Sequence, residues 1–322
     1  MKAVVIEKAG GPEVLKIQDR DIPKISSNEV LIQVKAAGIN RPDIFQRQGK
    51  YPAPDGVIQD IPGLEVSGIV IEVGNSVLNI QKGERVMALV AGGGYAEYVN
   101  VDAGSCIRIP DYMSFEQAAA MPETIYTVWH NLFQRGKLKQ KDNVLIHGGA
   151  GGIGSTAIIL AKLFGSQVYT TVSNEEKYNF VSELGADIVI NYKNENFEDI
   201  LREKRIDVVL DFIGGEYFEK NINILHPDGR LVYINAMGGG KVELNIFKMM
   251  QKRLTITGST LRNRDIYFKR NLTQDIVTNL LPYLISNQIT LPIYRKFAFE
   301  QAADAHKIME ENKLLGKLIF VI

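Results

Sequence analysis

The chain has 322 residues, 45% hydrophobic and 23% charged, long enough for two domains with separate cores. Its 37 Lys and Arg balance 37 Asp and Glu, so no bulk charge calls for nucleic acid or an anionic membrane. A single cysteine, Cys106, excludes an intrachain disulfide and any multi-cysteine metal site, and suits a reducing compartment.

The amino end, MKAVVIEKAGG, has an apolar run too short for a signal peptide, and no apolar stretch reaches about 18 residues. A cytoplasmic protein without a membrane span is therefore expected. Short Val- and Ile-rich runs at 2–7, 14–19, 29–36, 66–73, 85–90 and 95–101 predict strands. Turn signals such as Gly10-Gly11-Pro12 and Gly92-Gly93-Gly94 separate them, which suggests a small barrel-like β domain. Near Pro110 the character changes, and Ser114-Phe-Glu-Gln117 has the form of a capping box opening an Ala-rich helix.

After Lys141, strands expected at 144–147, 167–172, 188–191, 208–213, 230–235 and 254–258 alternate with helical stretches such as 175–184 and 197–204. Six apolar strands with crossovers describe a doubly wound parallel sheet. From about Tyr267 come two helical stretches and a last strand, 317–322, whose expected partner is the β domain.

Gly148-x-x-Gly151-x-x-Gly154 follows the first of those strands and opens a helix, where a phosphate-binding turn belongs. Glycine lets backbone N–H groups approach a pyrophosphate, and the helix N-terminus adds favourable charge. Ile153, Ala157, Leu160, Ala161 and Phe164 share the helix face expected to pack on the sheet. About 20 residues on, an NAD site carries Asp or Glu for the ribose 2′-OH. Here VYTTVSNEEK puts Ser173 and Asn174 at that place and Lys177 one turn further, favouring NADPH, with Glu175 and Glu176 expected to face solvent.

KAVVIEKAGGPEVL, AAGINRPDIFQRQGKY, PGLEVSGIVIEVG, ALVAGGGYAEYV, QAAAMPETIYTVW, the glycine loop, DFIGG and NKLLGKLI span almost the whole chain. In them the sequence resembles the medium-chain dehydrogenase/reductases, and within these the zinc-free quinone oxidoreductases, especially the branch of the p53-inducible quinone oxidoreductase homologue. The resemblance implies an α/β protein with a GroES-like β-rich catalytic domain over 1–120 plus 266–322. A Rossmann nucleotide-binding domain would span 121–265, with the active site in the cleft between the two. It makes Ser173, Lys177 and Tyr192 the 2′-phosphate contacts and brings Thr127, Gly151, Gly152 and Ile153 near the nicotinamide and pyrophosphate. Phe212, Ile213 and Gly214 would pass over the nicotinamide side, and Lys317 would approach the cofactor.

Zinc-dependent relatives carry Cys in the segment matching AAGINRPD and Gly-His-Glu in the one matching PGLEVSG; here Asn40 and Leu64 stand there. No zinc site is expected. The implied activity is NADPH-dependent reduction of a quinone, or of a similarly activated carbonyl such as an enal or enone. Asn40 and Tyr51 are the candidate catalytic residues, one to bond the nascent oxyanion, the other to donate a bond or relay a proton. A non-catalytic NADPH-binding module, with RNA as a conceivable partner, is the reading from another class. The basic runs 46–50 and 261–270 are read as solvated surface or a lip of the cofactor cleft, so no nucleic acid partner is expected. A homodimer is expected through the stretch 241–260.

Overall fold

Apolar alternation in KAVVI buries Ala3, Val4 and Val5 and forms β1 (Lys2–Ile6), which pairs antiparallel with β2 (Leu15–Asp19). The computed structural model describes residues Met1–Ile322. They divide into two compact units, Met1–Tyr126 with Leu261–Ile322, and Thr127–Thr260.

In the first unit follow β3 (Glu29–Ile39), α1 (Arg41–Arg47), β4 (Glu65–Val73), β5 (Arg85–Leu89), β6 (Tyr98–Asp102) and β7 (Cys106–Arg108). α2 (Phe115–Ala119) starts on the anticipated capping box: Gln117 N–H donates to Ser114 Oγ, and Ser114 N–H donates to Gln117 Oε1. α3 (Pro122–Val128) leads into a wide π-helical turn, Trp129–Arg135.

The second unit alternates as its periodicity requires: β8 (Asn143–Ile146), α4 (Gly152–Leu163), β9 (Gln167–Val172), α5 (Glu175–Glu183), β10 (Ile188–Asn191), α6 (Phe197–Leu201), β11 (Ile206–Asp211), α7 (Tyr217–Ile224), β12 (Leu225–Tyr233), α8 (Ile246–Lys252) and β13 (Thr255–Gly258). Its six strands are all parallel, in the order β10-β9-β8-β11-β12-β13. The order reverses at β8, the switch point of a doubly wound sheet. Ala157, Leu160 and Ala161 are buried as the helix face requires, while Ile153 and Phe164 are half-buried.

The chain then returns to the first unit with α9 (Ile266–Ile285), β14 (Ile293–Ala298), α10 (Ala302–Glu310) and β15 (Lys317–Val321). β15 joins the seven-stranded sheet, ordered β14-β15-β3-β4-β5-β7 with β6 also paired to β3, and itself pairs antiparallel with β3, so the last strand finds its partner in the β domain.

Some boundaries differ from the sequence reading. Val14 belongs to a 3-10 turn opened by Pro12, whose fixed φ suits a first helical position. The run from Tyr95 becomes a strand only at Tyr98; before it Ala96 makes a single bridge to Ala3. β12 begins at Leu225 and contains a detour in which Asp228 takes φ 65, shifting its register on β11. β7 and β14 are too short or too polar to have stood out.

Candidate active site

The glycine turn lies between β8 and α4. Gly148 has φ 64, and a Cβ there would meet the Phe212 ring at 2.4 Å, so the first glycine and the Phe212 turn are in contact. A Cβ on Gly154 would meet Gly148 O at 2.4 Å, which makes this glycine the condition for α4 to pack against the turn. At Gly151 a Cβ would meet nothing within 4 Å. Open space over a glycine at the N-terminus of a 12-residue helix fits the phosphates of a dinucleotide.

At the end of β9, Ser173 and Lys177 are half-buried while Glu175 and Glu176 are exposed. Burial holds the Lys177 ammonium below its ordinary pKa, with Glu176 opposing. Tyr192, just after β10, is 41% exposed and available to a ligand. Phe212 and Ile213 are half-buried and Gly214, with φ 67, is buried; both Ile213 N–H and Gly214 N–H donate to Asp211 Oδ1. Thr127 is half-buried and its carbonyl accepts from Asn131 Nδ2. His147, just past the end of β8, is buried: Nδ1 lies 3.2 Å from Thr171 Oγ1 and Nε2 2.9 Å from Asn221 Oδ1.

The first unit gathers a different set. Asn40 stands at the N-cap position of α1, with its backbone N–H donating to Asp43 Oδ2 at 2.8 Å. Its side-chain Nδ2 donates to Glu65 Oε1 at 2.8 Å, and its Oδ1 accepts from Lys317 Nζ at 2.6 Å. Lys317 Nζ also donates to Glu65 Oε1 at 2.5 Å, and Glu65 Oε2 accepts the Glu123 backbone N–H at 2.9 Å. Asp43, wholly buried, accepts from Tyr95 Oη at 2.8 Å, and burial pushes its pKa up to about 6 against that bond. Burial, then the neighbouring Glu65, pushes Glu123 up to about 8.

Tyr51 is half-buried. Arg262 lies over its ring, 5.2 Å from the centroid, and Arg262 Nη1 donates to the Tyr51 carbonyl at 3.1 Å. Burial raises the Tyr51 hydroxyl, partly offset by Arg262.

The structure thus joins Asn40 to Lys317, and Gly148 to Phe212. Glu65, Glu123 and Arg262 were not drawn from the sequence as site residues. A glutamate inside the apolar run of PGLEVSGIV was the available signal for Glu65. Arg262 corrects the surface reading of 261–270: it is 7% exposed, and it also donates to Gln46 Oε1 and the Ala91 carbonyl. Arg270 in the same run pairs with Asp102, and Arg264 lies over Phe268. Each of these three cations makes an intramolecular contact. Cys106 is half-buried, and desolvation of its thiol pushes the pKa well above its usual value, so it is a poor nucleophile.

Residues 26–111 match the family model described as an alcohol dehydrogenase GroES-like domain, and residues 152–275 the one described as a zinc-binding dehydrogenase. A pig quinone oxidoreductase is 32% identical over 100% of this chain and 98% of its own length. The chain belongs to the quinone oxidoreductase family. A chloroplastic NADPH-dependent alkenal/one oxidoreductase of Arabidopsis thaliana is also 32% identical, over 99% of this chain and 79% of its own length. Among solved structures, the Escherichia coli quinone oxidoreductase complexed with NADPH aligns with a TM-score of 0.89 at 29% identity, covering 100% of both chains.

One family description names zinc, and the residues here do not fit it. Leu64 offers no donor, and at Asn40 a lysine ammonium occupies the amide oxygen. No group of three or more His, Cys, Asp or Glu is arranged to hold a metal ion. This quinone oxidoreductase family member places a fixed ammonium beside the residue that replaces the cysteine ligand.

Proposed function

We propose that this chain is a zinc-independent NADPH-dependent quinone oxidoreductase of the p53-inducible homologue branch. In this reading residues 1–120 with 266–322 form the catalytic domain, residues 121–265 the cofactor domain, and the protein works as a cytoplasmic homodimer. The observation that carries the reading is the open glycine turn at Gly151 together with a β9 end that bears Ser173 and Lys177 in place of a carboxylate.

When bound, NADPH supplies the hydride. The chain's own residues bind, orient and stabilise. Gly148, Gly151, Gly152 and Gly154 let backbone N–H groups reach the pyrophosphate; Ser173, Lys177 and Tyr192 take the 2′-phosphate. Thr127, Ile153, Phe212, Ile213 and Gly214 fix the nicotinamide end. Asn40 Nδ2 donates to the acceptor oxygen as it gains charge. Tyr51, its hydroxyl raised by burial, stays protonated at neutral pH and supplies a bond or a proton from Oη. A quinone needs little more, because its reduction leaves a delocalised aromatic oxyanion.

The name of the Arabidopsis relative supports a second reading with the same site, in which a conjugated enal or enone is reduced. NADPH oxidation by the purified protein is measured with an ortho-quinone, beside NADH and beside an enone, with and without chelator. Fast quinone-dependent oxidation preferring NADPH and indifferent to chelator is expected. Faster turnover of the enone moves the substrate assignment to alkenals, and NADPH binding without turnover of either acceptor overturns the enzyme reading in favour of a binding module.

A further inference from the structure

Asn40 has two orientations of its amide, and only one gives it a useful donor. Lys317 can only donate, and Glu65 Oε1 accepts from both Lys317 Nζ and Asn40 Nδ2. Turning the amide over would set NH2 against an ammonium and C=O against a carboxylate. The network therefore fixes Oδ1 on Lys317 and one Nδ2–H on Glu65, leaving the second Nδ2–H as the one donor of this side chain not used inside the cluster.

Three neighbouring strands build this arrangement. Leu318 of β15 pairs with Ile39 of β3, so the next antiparallel step sets Lys317 opposite Asn40. Val66 of β4 pairs with Ala37, so the next step sets Glu65 beside Gly38, where a Cβ would meet Glu65 Oε1 at 2.0 Å. Gly38 is the space the carboxylate occupies. Gly316 takes φ 97 with Pro292 O 2.3 Å from where a Cβ would be, a turn that delivers Lys317 into the strand.

Burying Lys317 and Glu65, 3% and 0% exposed, is costly, and apolar residues of like volume would serve stability as well or better. The pair is therefore weak evidence of a stabilising role.

We propose that Lys317 and Glu65 are positioning residues that hold the Asn40 amide in the single orientation able to donate to the acceptor oxygen of the substrate. The proposal deepens the function proposed above and rests on it for the identity of the acceptor. It gives Lys317 a task within the first unit, apart from the cofactor contact that the family resemblance implies. Through Oδ1 the ammonium also polarises the amide, strengthening its remaining N–H as a donor.

The test compares Lys317→Met, Lys317→Arg and the double variant Lys317→Met/Glu65→Met with the wild type, for quinone turnover and for NADPH affinity by fluorescence. Loss of one oxyanion donor costs about 100- to 1000-fold in kcat. Because Asn40 itself remains, a loss of about 10- to 100-fold is expected for Lys317→Met and the double variant, with the NADPH Kd within about twofold and partial rescue by Lys317→Arg. The double variant removes both charges of the Lys317–Glu65 pair together, so it reports on orientation even if Lys317→Met does not fold. Full kcat in the double variant, or a weakened NADPH Kd with kcat retained, overturns the proposal.

A second readout needs no turnover. The Asn40 side-chain amide protons, assigned by their loss in Asn40→Asp, should be widely separated in the wild-type NMR spectrum and converge in the double variant. An amide pair unmoved by the substitutions sinks the positioning role. If the wild type turns over no acceptor, the proposed activity falls and this spectrum still decides the positioning role.

Discussion

His306 in α10 sits between Arg47, whose Nη1 is 3.4 Å from Nδ1, and Tyr95, whose Oη is 3.3 Å from Nε2. Burial, with the Arg47 charge beside it, lowers its pKa from 6.5 to about 3. The unfolded chain therefore binds the proton first. The stability this group contributes is present above pH 6.5 and is lost as pH falls toward about 3. Glu123 works with the opposite sign. Its folded pKa is raised from 4.5 to about 8, so its contribution is intact below pH 4.5 and is lost as pH rises through about 8. Urea unfolding at a series of pH values should show both limbs. His306→Gln should flatten the acid limb and Glu123→Gln the neutral-to-alkaline one, each by up to about 1.4 kcal/mol per pH unit where the group titrates. Because the two slopes oppose one another between pH 4.5 and 6.5, the deciding readout is the difference between wild type and each variant, and a difference that does not change with pH would contradict that group's assignment. Neither group could have been picked from the sequence as titrating abnormally, because what shifts it is the company of residues far along the chain.

At the scale of elements, the glycine turn was readable because each glycine has a local task. Gly154→Ala would put a methyl within 2.4 Å of a backbone carbonyl that cannot step aside. About 1–3 kcal/mol of destabilisation and at least tenfold weaker NADPH binding are expected, read by thermal unfolding and fluorescence titration. Gly151→Ala, with open space around it, should fold normally and lose affinity only by crowding the phosphates. Equal unfolding temperatures for the two variants would refute this division of labour. The cluster around Asn40 was less legible. AAGIN and PGLEV stood out as segments, but the contact between Asn40, Glu65 and Lys317 depends on the mutual register of β15, β3 and β4. A strand-start lysine carries no mark of burial in a linear reading. Arg262 misled for a similar reason: its neighbours Arg264, Asp265 and Arg270 are ordinary surface company, and only the fold shows it against the Tyr51 ring.

For the whole molecule, two sheets were foreseeable from the change of period near Pro110, and the parallel order followed from alternating strands and helices. The homodimer proposed above would form through what the sheet leaves uncovered. β13 has β12 on one side only, and just before it Ile246, Phe247 and Met250 are 60%, 80% and 61% exposed. Light scattering should find a dimer that Phe247→Asp with Met250→Asp converts to monomer, leaving the unfolding temperature of the monomer close to that of the parent. A wild-type monomer, or a dimer indifferent to both changes, would remove this edge as the interface.

The return of the chain to its first sheet also sets a schedule for biosynthesis. Glu65 and Asn40 are made early, yet Lys317 leaves the ribosome only after all of Thr127–Thr260 has been translated. At about 5–20 residues per second, β3 and β4 wait many seconds with a carboxylate that has no counter-charge and an edge that has no β15. The second unit has no such debt and is free to fold while the first is still open. A nascent chain stalled before Gly316 would therefore present a finished nucleotide-binding half beside an unfinished, exposed sheet, the kind of surface chaperones and proteases recognise. The same lysine that orients an amide in the mature protein serves, during synthesis, as the sign that translation has reached the last strand.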